Sequence, residues 1–382
     1  MLKYLLKSII RFFLYVLWIL PVKKNKVFFS SFKGTAITCN PYYIYKKLEK
    51  NASNLEFVWC CNCDDPKKVI ENKKVKFVKF NSFFYILNLA TSKILINNAA
   101  FPSWFPFRMK KQIVINTWHG GGAYKRVAVS EIASKEIQKR EEMTAKNTSY
   151  FISSSKMFTD VMIPSVLVPQ EKFLNIGMPR NDIFFDKPLM EATNIKVRQS
   201  LDISEKDFVI LYAPTYRDSS LKHSQFNNQL DIALIRQVAQ TKYGKVVKVL
   251  FRGHYFFTAN NTQSFDSDVS SYPNMQELLC MADMLITDYS SSMWDFSFTN
   301  KPCLLYCPDI NEYIQERGFY TEPHKWGFPI CKSNTDLAEL IKNFDSKRYT
   351  DNIKINHDYF GSYESGTATK AICRIIMEEL SK

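Results

Sequence analysis

Ala282-Asp283-Met284-Leu285-Ile286-Thr287-Asp288-Tyr289-Ser290-Ser291-Ser292-Met293-Trp294-Asp295 is the stretch from which the fold can be read. A short apolar run ends in hydroxyl-bearing residues, and those residues open an amphipathic stretch predicted as a helix from Ser292 to Thr299. Backbone N–H groups and serine hydroxyls converge at such a strand-to-helix turn, where the helix dipole stabilises an anion such as a diphosphate. An ordinary N-cap accounts for one serine, and three in a row exceed what capping needs.

Outward from this stretch the same grammar repeats. Short apolar runs alternate with polar amphipathic ones, as in α/β architecture. Strands are predicted at Lys26 to Ser30, Leu55 to Cys60, Val75 to Phe80, Lys93 to Asn97, Gln112 to Thr117 and Tyr150 to Ser153. A second set follows at Phe208 to Ala213, Lys245 to Phe251, Met284 to Thr287 and Cys303 to Tyr306. Helices are predicted at Ser130 to Lys146, Asp231 to Thr241, Met275 to Met281, Asp336 to Asn343 and Thr369 to Leu380. The fold class is therefore α/β with two Rossmann-like domains, residues 25–190 and 191–382, joined by a linker near 183–205. The polar run Asn260 to Ser271 reads as a loop, and no repeat of 20 to 50 residues is present.

The amino-terminal residues 1–24 differ from both domains. Lys3, Lys7 and Arg11 recur every fourth residue on one helical face, while Leu2, Leu5, Leu6, Ile9, Ile10, Phe13 and Leu17 cover the rest. The uninterrupted apolar part is shorter than the ~20 residues a spanning helix requires. Pro21-Val22-Lys23-Lys24 stands where a signal peptide would carry small residues. The segment reads as an in-plane amphipathic membrane helix, with a signal peptide and a core helix as the alternatives.

The 382 residues carry 51 Lys+Arg against 37 Asp+Glu, a net charge of +14. A field of that sign favours phosphates, nucleic acid or anionic lipid. No recognised nucleic-acid module is present and the aromatics are spread through the strands, so no nucleic-acid partner is expected. The nine cysteines have no regular spacing, which points to a reducing, cytosolic compartment. Cys60-Cys61-Asn62-Cys63 lacks a second ligand pair, and reads as a strand end instead of a zinc site.

Two of the five histidines follow predicted strands. His119 ends Ile113-Val114-Ile115-Asn116-Thr117-Trp118 and precedes Gly120-Gly121-Gly122, while His254 follows Val249-Leu250-Phe251-Arg252-Gly253. Ligands of open α/β sheets bind outside strand carboxyl ends. The glycines either let backbone N–H groups approach an anion or merely permit a tight turn. Lys125 and Arg126 nearby favour the anion. Pro214-Thr215-Tyr216-Arg217-Asp218 offers hydroxyl and guanidinium groups at another strand exit. Arg180 could bind phosphate or serve only in an ion pair. Asp266-Ser267-Asp268 lies in a polar loop with no strand before it and is discounted as a metal site.

Together these blocks resemble the CDP-glycerol glycerophosphotransferase family, the teichoic acid primases and polymerases, from about Val27 to the carboxyl terminus. The resemblance rests on Asn40-Pro41 with Tyr43-Ile44-Tyr45, Asn116-Thr117-Trp118-His119-Gly120, Gly177-Met178-Pro179-Arg180-Asn181-Asp182, and Leu211-Tyr212-Ala213-Pro214-Thr215-Tyr216-Arg217-Asp218. Arg252-Gly253-His254, Thr287-Asp288-Tyr289-Ser290-Ser291 with Asp295, and Arg317-Gly318-Phe319-Tyr320 complete it. Gly121-Gly122-Ala123-Tyr124-Lys125 departs from the Thr-Pro-Leu and lysines usual after Trp-His-Gly.

The resemblance implies a glycosyltransferase-B-like fold with the donor held mainly by the carboxyl-terminal domain. It implies His119 and His254 as the catalytic pair, and Gly120, Gly121, Gly122, Ala123, Arg180, Thr215, Tyr216, Arg217, Arg252, Ser290, Ser291 and Asp295 as substrate contacts. The expected reaction passes glycerol phosphate from CDP-glycerol, or ribitol phosphate from CDP-ribitol, to a lipid-linked glycan or polyol-phosphate acceptor, releasing CMP. Teichoic acid or capsule-type polymers are the products, made at the cytoplasmic face of the bacterial membrane by a peripheral protein. His119 is the expected general base, with His254, Arg252 and the Ser290-Ser291 turn stabilising the diphosphate. Hydroxyls, backbone donors and cations predict no metal or other cofactor. The rival readings are a nucleotide-sugar glycosyltransferase of the same fold and a basic binding protein without catalysis.

Overall fold

The computed structural model describes residues 10–63, 65–132, 134–215, 230–253 and 264–382. His254, Tyr216 and Arg217 lie outside the described residues, as does residues 260–263 of the predicted polar loop. The chain divides into two compact units. One comprises Met1–Gly120, Val127–Asp182 and Ser362–Lys382; the other comprises Gly121–Arg126 and Ile183–Gly361.

The first unit contains β1 (Lys23–Ser30), β2 (Glu56–Cys60), β3 (Lys76–Val78), β4 (Ser92–Asn97), β5 (Ile113–Asn116), β6 (Tyr150–Ser153) and β7 (Phe173–Asn175). They form one sheet in the order β3-β2-β1-β4-β5-β6-β7, with every pairing parallel. Both faces are covered, so Val27–Phe29, Phe57–Cys60, Ile94–Ile96 and Val114–Ile115 are continuous buried apolar runs, and the two-residue period merely assigns neighbours to opposite layers. Val27 and Phe29 of β1 join Trp59, Ile96 and Tyr45 in one layer, while Phe28 joins Val58, Leu95 and Tyr85 in the other. Phe29 and Trp59 stack with centroids 5.0 Å apart, a pairing worth about 0.5–1.5 kcal/mol beyond its buried area.

The second unit contains β8 (Phe208–Tyr212), β9 (Val247–Phe251), β10 (Ser267–Asp268), β11 (Met284–Thr287), β12 (Cys303–Tyr306) and β13 (Ile330–Cys331). Their order is β10-β9-β8-β11-β12-β13, again with all pairings parallel. Numbered within the unit this is 3-2-1-4-5-6, the doubly wound order, with the reversal between β8 and β11. Helices start where a side chain satisfies a free N–H: Asp231 accepts from Leu234, Asn274 from Gln276, Ser333 from Asp336 and Asp345 from Arg348. Gly244 and Gly361 end two of them at φ +64° and +62°.

Two departures from the sequence reading have clear causes. The expected linker is occupied by the helix Lys187–Ser200, fixed by Arg198 Nη2 to Asp283 Oδ2 at 2.8 Å. The helix Ala368–Ser381 belongs to the first unit rather than the second, because Ile372 and Ile376 enter its core and Asp182 accepts the N–H groups of Ala368 and Thr369. Cys61 and Cys63 lie side by side at the turn after β2, with Cα atoms 5.4 Å apart, while Cys39, Cys60, Cys280, Cys303, Cys307, Cys331 and Cys373 are free and buried.

Lys3, Lys7 and the other residues of the predicted amphipathic helix up to Ile9 lie outside the described residues. Residues 10–14 are helical, Tyr15–Ile19 form a 3₁₀ helix, and β1 starts at Lys23. Leu14 and Leu17 pack inward, whereas Phe12, Phe13 and Ile19 are 74%, 67% and 82% exposed. Among the described residues no helix is long and apolar enough to cross a membrane. Arg108 clamps the segment, donating to the carbonyls of Trp18 (2.9 Å), Leu20 (2.7 Å) and Ala90. Because these are charge-assisted bonds from a buried cation, Arg108→Ala should cost about 3 kcal/mol of stability. It should also speed tryptic cleavage at Lys23 and Lys24, and unchanged urea midpoints and cleavage rates would refute the clamp.

His357 is half-buried in the second unit, stacked on Phe298 with centroids 4.5 Å apart. Ser297 Oγ spends its proton on the Trp294 carbonyl, so His357 Nε2 donates to that oxygen, at 2.7 Å. Burial lowers its pKa to about 4. The unfolded chain, titrating near 6.5, takes up a proton that the folded one refuses, so this contribution is complete above pH 6.5 and is lost as pH falls towards 4. Between pH 7 and 4 the wild type should lose on the order of 3 kcal/mol more than His357→Gln. Denaturation midpoints measured across that range check it, and parallel pH slopes would disprove it.

Candidate functional site

In the first unit the strand order reverses between β1 and β4, the place where open α/β sheets bind ligands. The β1 exit, Phe32-Lys33-Gly34, runs through three consecutive left-handed residues at φ +47°, +57° and +86°. Gly34 is required there, since a Cβ would lie 2.7 Å from Cys60 Sγ. The turn is held from the β4 exit, where Asn98 Oδ1 accepts the Phe32 N–H at 2.7 Å.

His119 stands on the β5 exit of the same unit. Its Nδ1 lies 2.6 Å from the Asn98 carbonyl oxygen. A carbonyl can only accept, so Nδ1 carries the proton and Nε2 is the nitrogen able to take one up. The ring is flanked by Trp118, stacked at 4.8 Å, and by the edge of Phe32 at 5.5 Å. Arg180 is buried, and its Nη1 donates to the His119 carbonyl at 2.6 Å and to Cys39 Sγ at 3.3 Å. Its neighbours in Gly177–Asp182 form a junction: Asn181 Nδ2 donates to Glu364, Met178 N–H to the same carboxylate, and Asp182 caps the carboxyl-terminal helix.

In the second unit the corresponding reversal brings Thr215 and Asp288 together. The buried Asp288 carboxylate accepts from Thr215 N–H (2.9 Å), Thr215 Oγ1 and Tyr289 N–H (2.6 Å), tying the β8 exit to the β11 exit. Beyond it, Ser291 precedes the helix Ser292–Ser297 without capping it, and Ser292 Oγ donates to Ser290 Oγ at 3.0 Å. Ser290 Oγ also accepts the Ser292 N–H at 3.3 Å, so one hydroxyl of the cluster serves the helix start. Asp295, only 2% exposed, accepts from Gln276 Nε2 at 3.1 Å. Arg252 Nη1 donates to the carbonyls of Val269 (3.0 Å) and Tyr272 (2.7 Å), bracing the loop beside β10.

Gly121–Arg126 also belongs to this unit and is pinned by Tyr320 N–H to Tyr124 O (2.7 Å), Arg126 N–H to Gly318 O (3.2 Å) and Thr321 Oγ1 to Ala123 O (3.1 Å). A Cβ on Gly121 would meet Trp294 Cδ1 at 2.1 Å, and Gly122 sits at φ +66° against the Tyr124 ring. Packing accounts for these two glycines, and Gly121, Gly122 and Ala123 are all buried.

The first unit therefore joins His119 to Arg180, while the second joins Thr215 to Asp288 just before the Ser290-Ser291 turn and also contains Arg252, Asp295 and Gly121–Ala123. Asn98 and Asp288 had no assigned role in the sequence reading, although each is a polar residue directly after an apolar strand, which is the signal that could have marked them. Asn40 was legible only as part of a motif.

Residues 12–378 match the family described as CDP-glycerol:poly(glycerophosphate) glycerophosphotransferase. A teichoic acid poly(glycerol phosphate) polymerase from Bacillus spizizenii is 28% identical over 94% of this chain and 93% of its own length. A teichoic acid glycerol-phosphate transferase from Staphylococcus aureus is 28% identical over 99% of this chain and 100% of its own. Among solved structures, a variant of the wall teichoic acid polymerase TagF superposes with a TM-score of 0.82 at 27% identity, covering 94% of this chain and 90% of the other. This chain belongs to the CDP-glycerol:poly(glycerophosphate) glycerophosphotransferase family.

Proposed function

We propose that this protein transfers glycerol phosphate from CDP-glycerol to a lipid-linked or polyol-phosphate acceptor in teichoic acid synthesis, releasing CMP. The observation that carries the chemistry is the imidazole of His119, with Nδ1–H given to the Asn98 carbonyl and Nε2 left as the basic nitrogen. An acceptor hydroxyl attacks the β-phosphorus of the donor, and its proton passes to Nε2. The new O–P bond forms as the bond from that phosphorus to the bridging oxygen breaks, and CMP departs with the bridging oxygen. Ser290 and Ser291, together with Arg252 and His254, are assigned to the diphosphate. Arg180 and Thr215 support the exits on which these groups stand.

His119→Ala should lower turnover on the order of 100-fold or more while leaving donor binding within a few-fold. Near-normal turnover would reject the base. The donor is decided by incubation with CDP-glycerol, CDP-ribitol and nucleotide sugars. CMP released from CDP-glycerol supports the proposal, CMP from CDP-ribitol alone replaces glycerol by ribitol, and a nucleoside diphosphate released from a nucleotide sugar sinks phosphotransfer.

We also assign the protein to the cytoplasmic face of the membrane as a peripheral enzyme. Supporting this is the outward row Phe12, Phe13, Val16 and Ile19, with Phe83 and Phe84 exposed on the adjoining helix Phe83–Thr91, in a chain of net charge +14. The protein should float with phosphatidylglycerol vesicles, and the double variant Phe12→Glu, Phe13→Glu should bind at least tenfold more weakly. Equal flotation of the two would remove the assignment.

A further inference from the structure

The peptide carbonyls on both sides of the His119 Cα are held by buried side chains. Trp118 O accepts from Asn40 Nδ2 at 3.1 Å, and His119 O accepts from Arg180 Nη1 at 2.6 Å. The two supports are themselves joined, because Asn40 Oδ1 accepts the Arg180 N–H at 3.0 Å. Asn40 Nδ2 also donates to Thr117 O at 3.0 Å, so one amide group binds two consecutive carbonyls of the same turn. Between them Trp118 takes φ +52°, a left-handed conformation that a tryptophan keeps only where its surroundings impose it.

That conformation has a consequence for the imidazole. It places the Trp118 ring flat against His119 while Nδ1 reaches the Asn98 carbonyl. A turn relaxed to the right-handed region would redirect both Cα–Cβ bonds and break this arrangement. Asn40 is 0% exposed and cannot itself meet a substrate. Its carboxamide has no counterpart in an ordinary helix start, where the first side chain accepts from N–H groups of its own helix instead of donating to a distant turn.

We infer that Asn40 is a positioning residue for the transfer reaction: it holds Trp118 in the left-handed turn and thereby keeps His119 in its Nδ1–H form with Nε2 presented for proton uptake. This rests on the reading of His119 as the base. The arrangement is of the kind that preorganises an active site, where a displacement of about 1 Å can cost on the order of 100-fold in rate.

The test combines kinetics with a long-range ¹H–¹⁵N spectrum of the full chain labelled at histidine, the His119 signals being assigned by their loss in His119→Ala. Asn40→Ala should lower kcat between about tenfold and 100-fold with KM for CDP-glycerol changed less than about threefold. In the spectrum His119 should pass from the Nδ1–H form to a mixture of tautomers. Asn40→Asp keeps the volume and the acceptor for the Arg180 N–H but turns a carboxylate oxygen on two carbonyls, and should act in the same direction. Unchanged kcat, an unchanged His119 tautomer beside a reduced rate, or failure of both variants to fold would each overturn a positioning role. If His119→Ala itself retains turnover, the base reading fails, and the tautomer measurement still decides whether Asn40 sets the ring.

Discussion

A buried amide and a buried carboxylate perform the same physical task in the two units, and the rest of each site depends on it. A parallel strand delivers its chain to the carboxyl edge of the sheet with backbone groups that have no further ladder partner, and such groups, when buried, must be satisfied by side chains. In the first unit Asn40 and Asn98 take up the backbone of the Thr117-Trp118 and Phe32 turns. In the second Asp288 takes up the backbone of Thr215 and Tyr289. Exit loops that would otherwise be free to move become fixed frames for the residues that carry chemistry.

From this constraint follows the form of the His119 site. Every degree of freedom of the imidazole has a physical restraint: its flanking carbonyls are bonded, its Nδ1 proton is committed, and aromatic rings lie against its face and edge. Such preorganisation costs backbone strain at Phe32, Lys33, Cys39 and Trp118, each left-handed without being glycine, on the order of 1–3 kcal/mol apiece. The strain persists because the large parallel core beneath it over-determines the loops.

The glycines after His119 illustrate a contact that neighbouring residues in the sequence do not reveal. Their sequence left open an anion site or a tight turn, and in the fold the Trp294 indole fills the space a side chain at Gly121 would need. Trp294 lies far away in sequence, so no local reasoning reaches that contact. Arg180 and Arg252 each donate to backbone carbonyls that the fold brings to them, contacts that their motifs do not announce.

Strands Tyr150–Ser153, Met284–Thr287 and Cys303–Tyr306 were legible to the residue, because a strand buried on both faces is a continuous apolar run bounded by polar residues. Strands Phe173–Asn175, Ser267–Asp268 and Ile330–Cys331 were not, since two or three residues at a sheet edge carry no period. The position of His119 and of the serine turn at strand exits also came from local pattern alone, as did the family resemblance. Only the tertiary structure decided that the carboxyl-terminal helix returns to the first unit, that Nδ1 of His119 is the protonated nitrogen, and that Asn40 reaches the Trp118 turn. The physical reason is range: burial periodicity and strand exits are properties of neighbouring residues, whereas a hydrogen bond between residues 40 and 118 exists only once the sheet has brought them together.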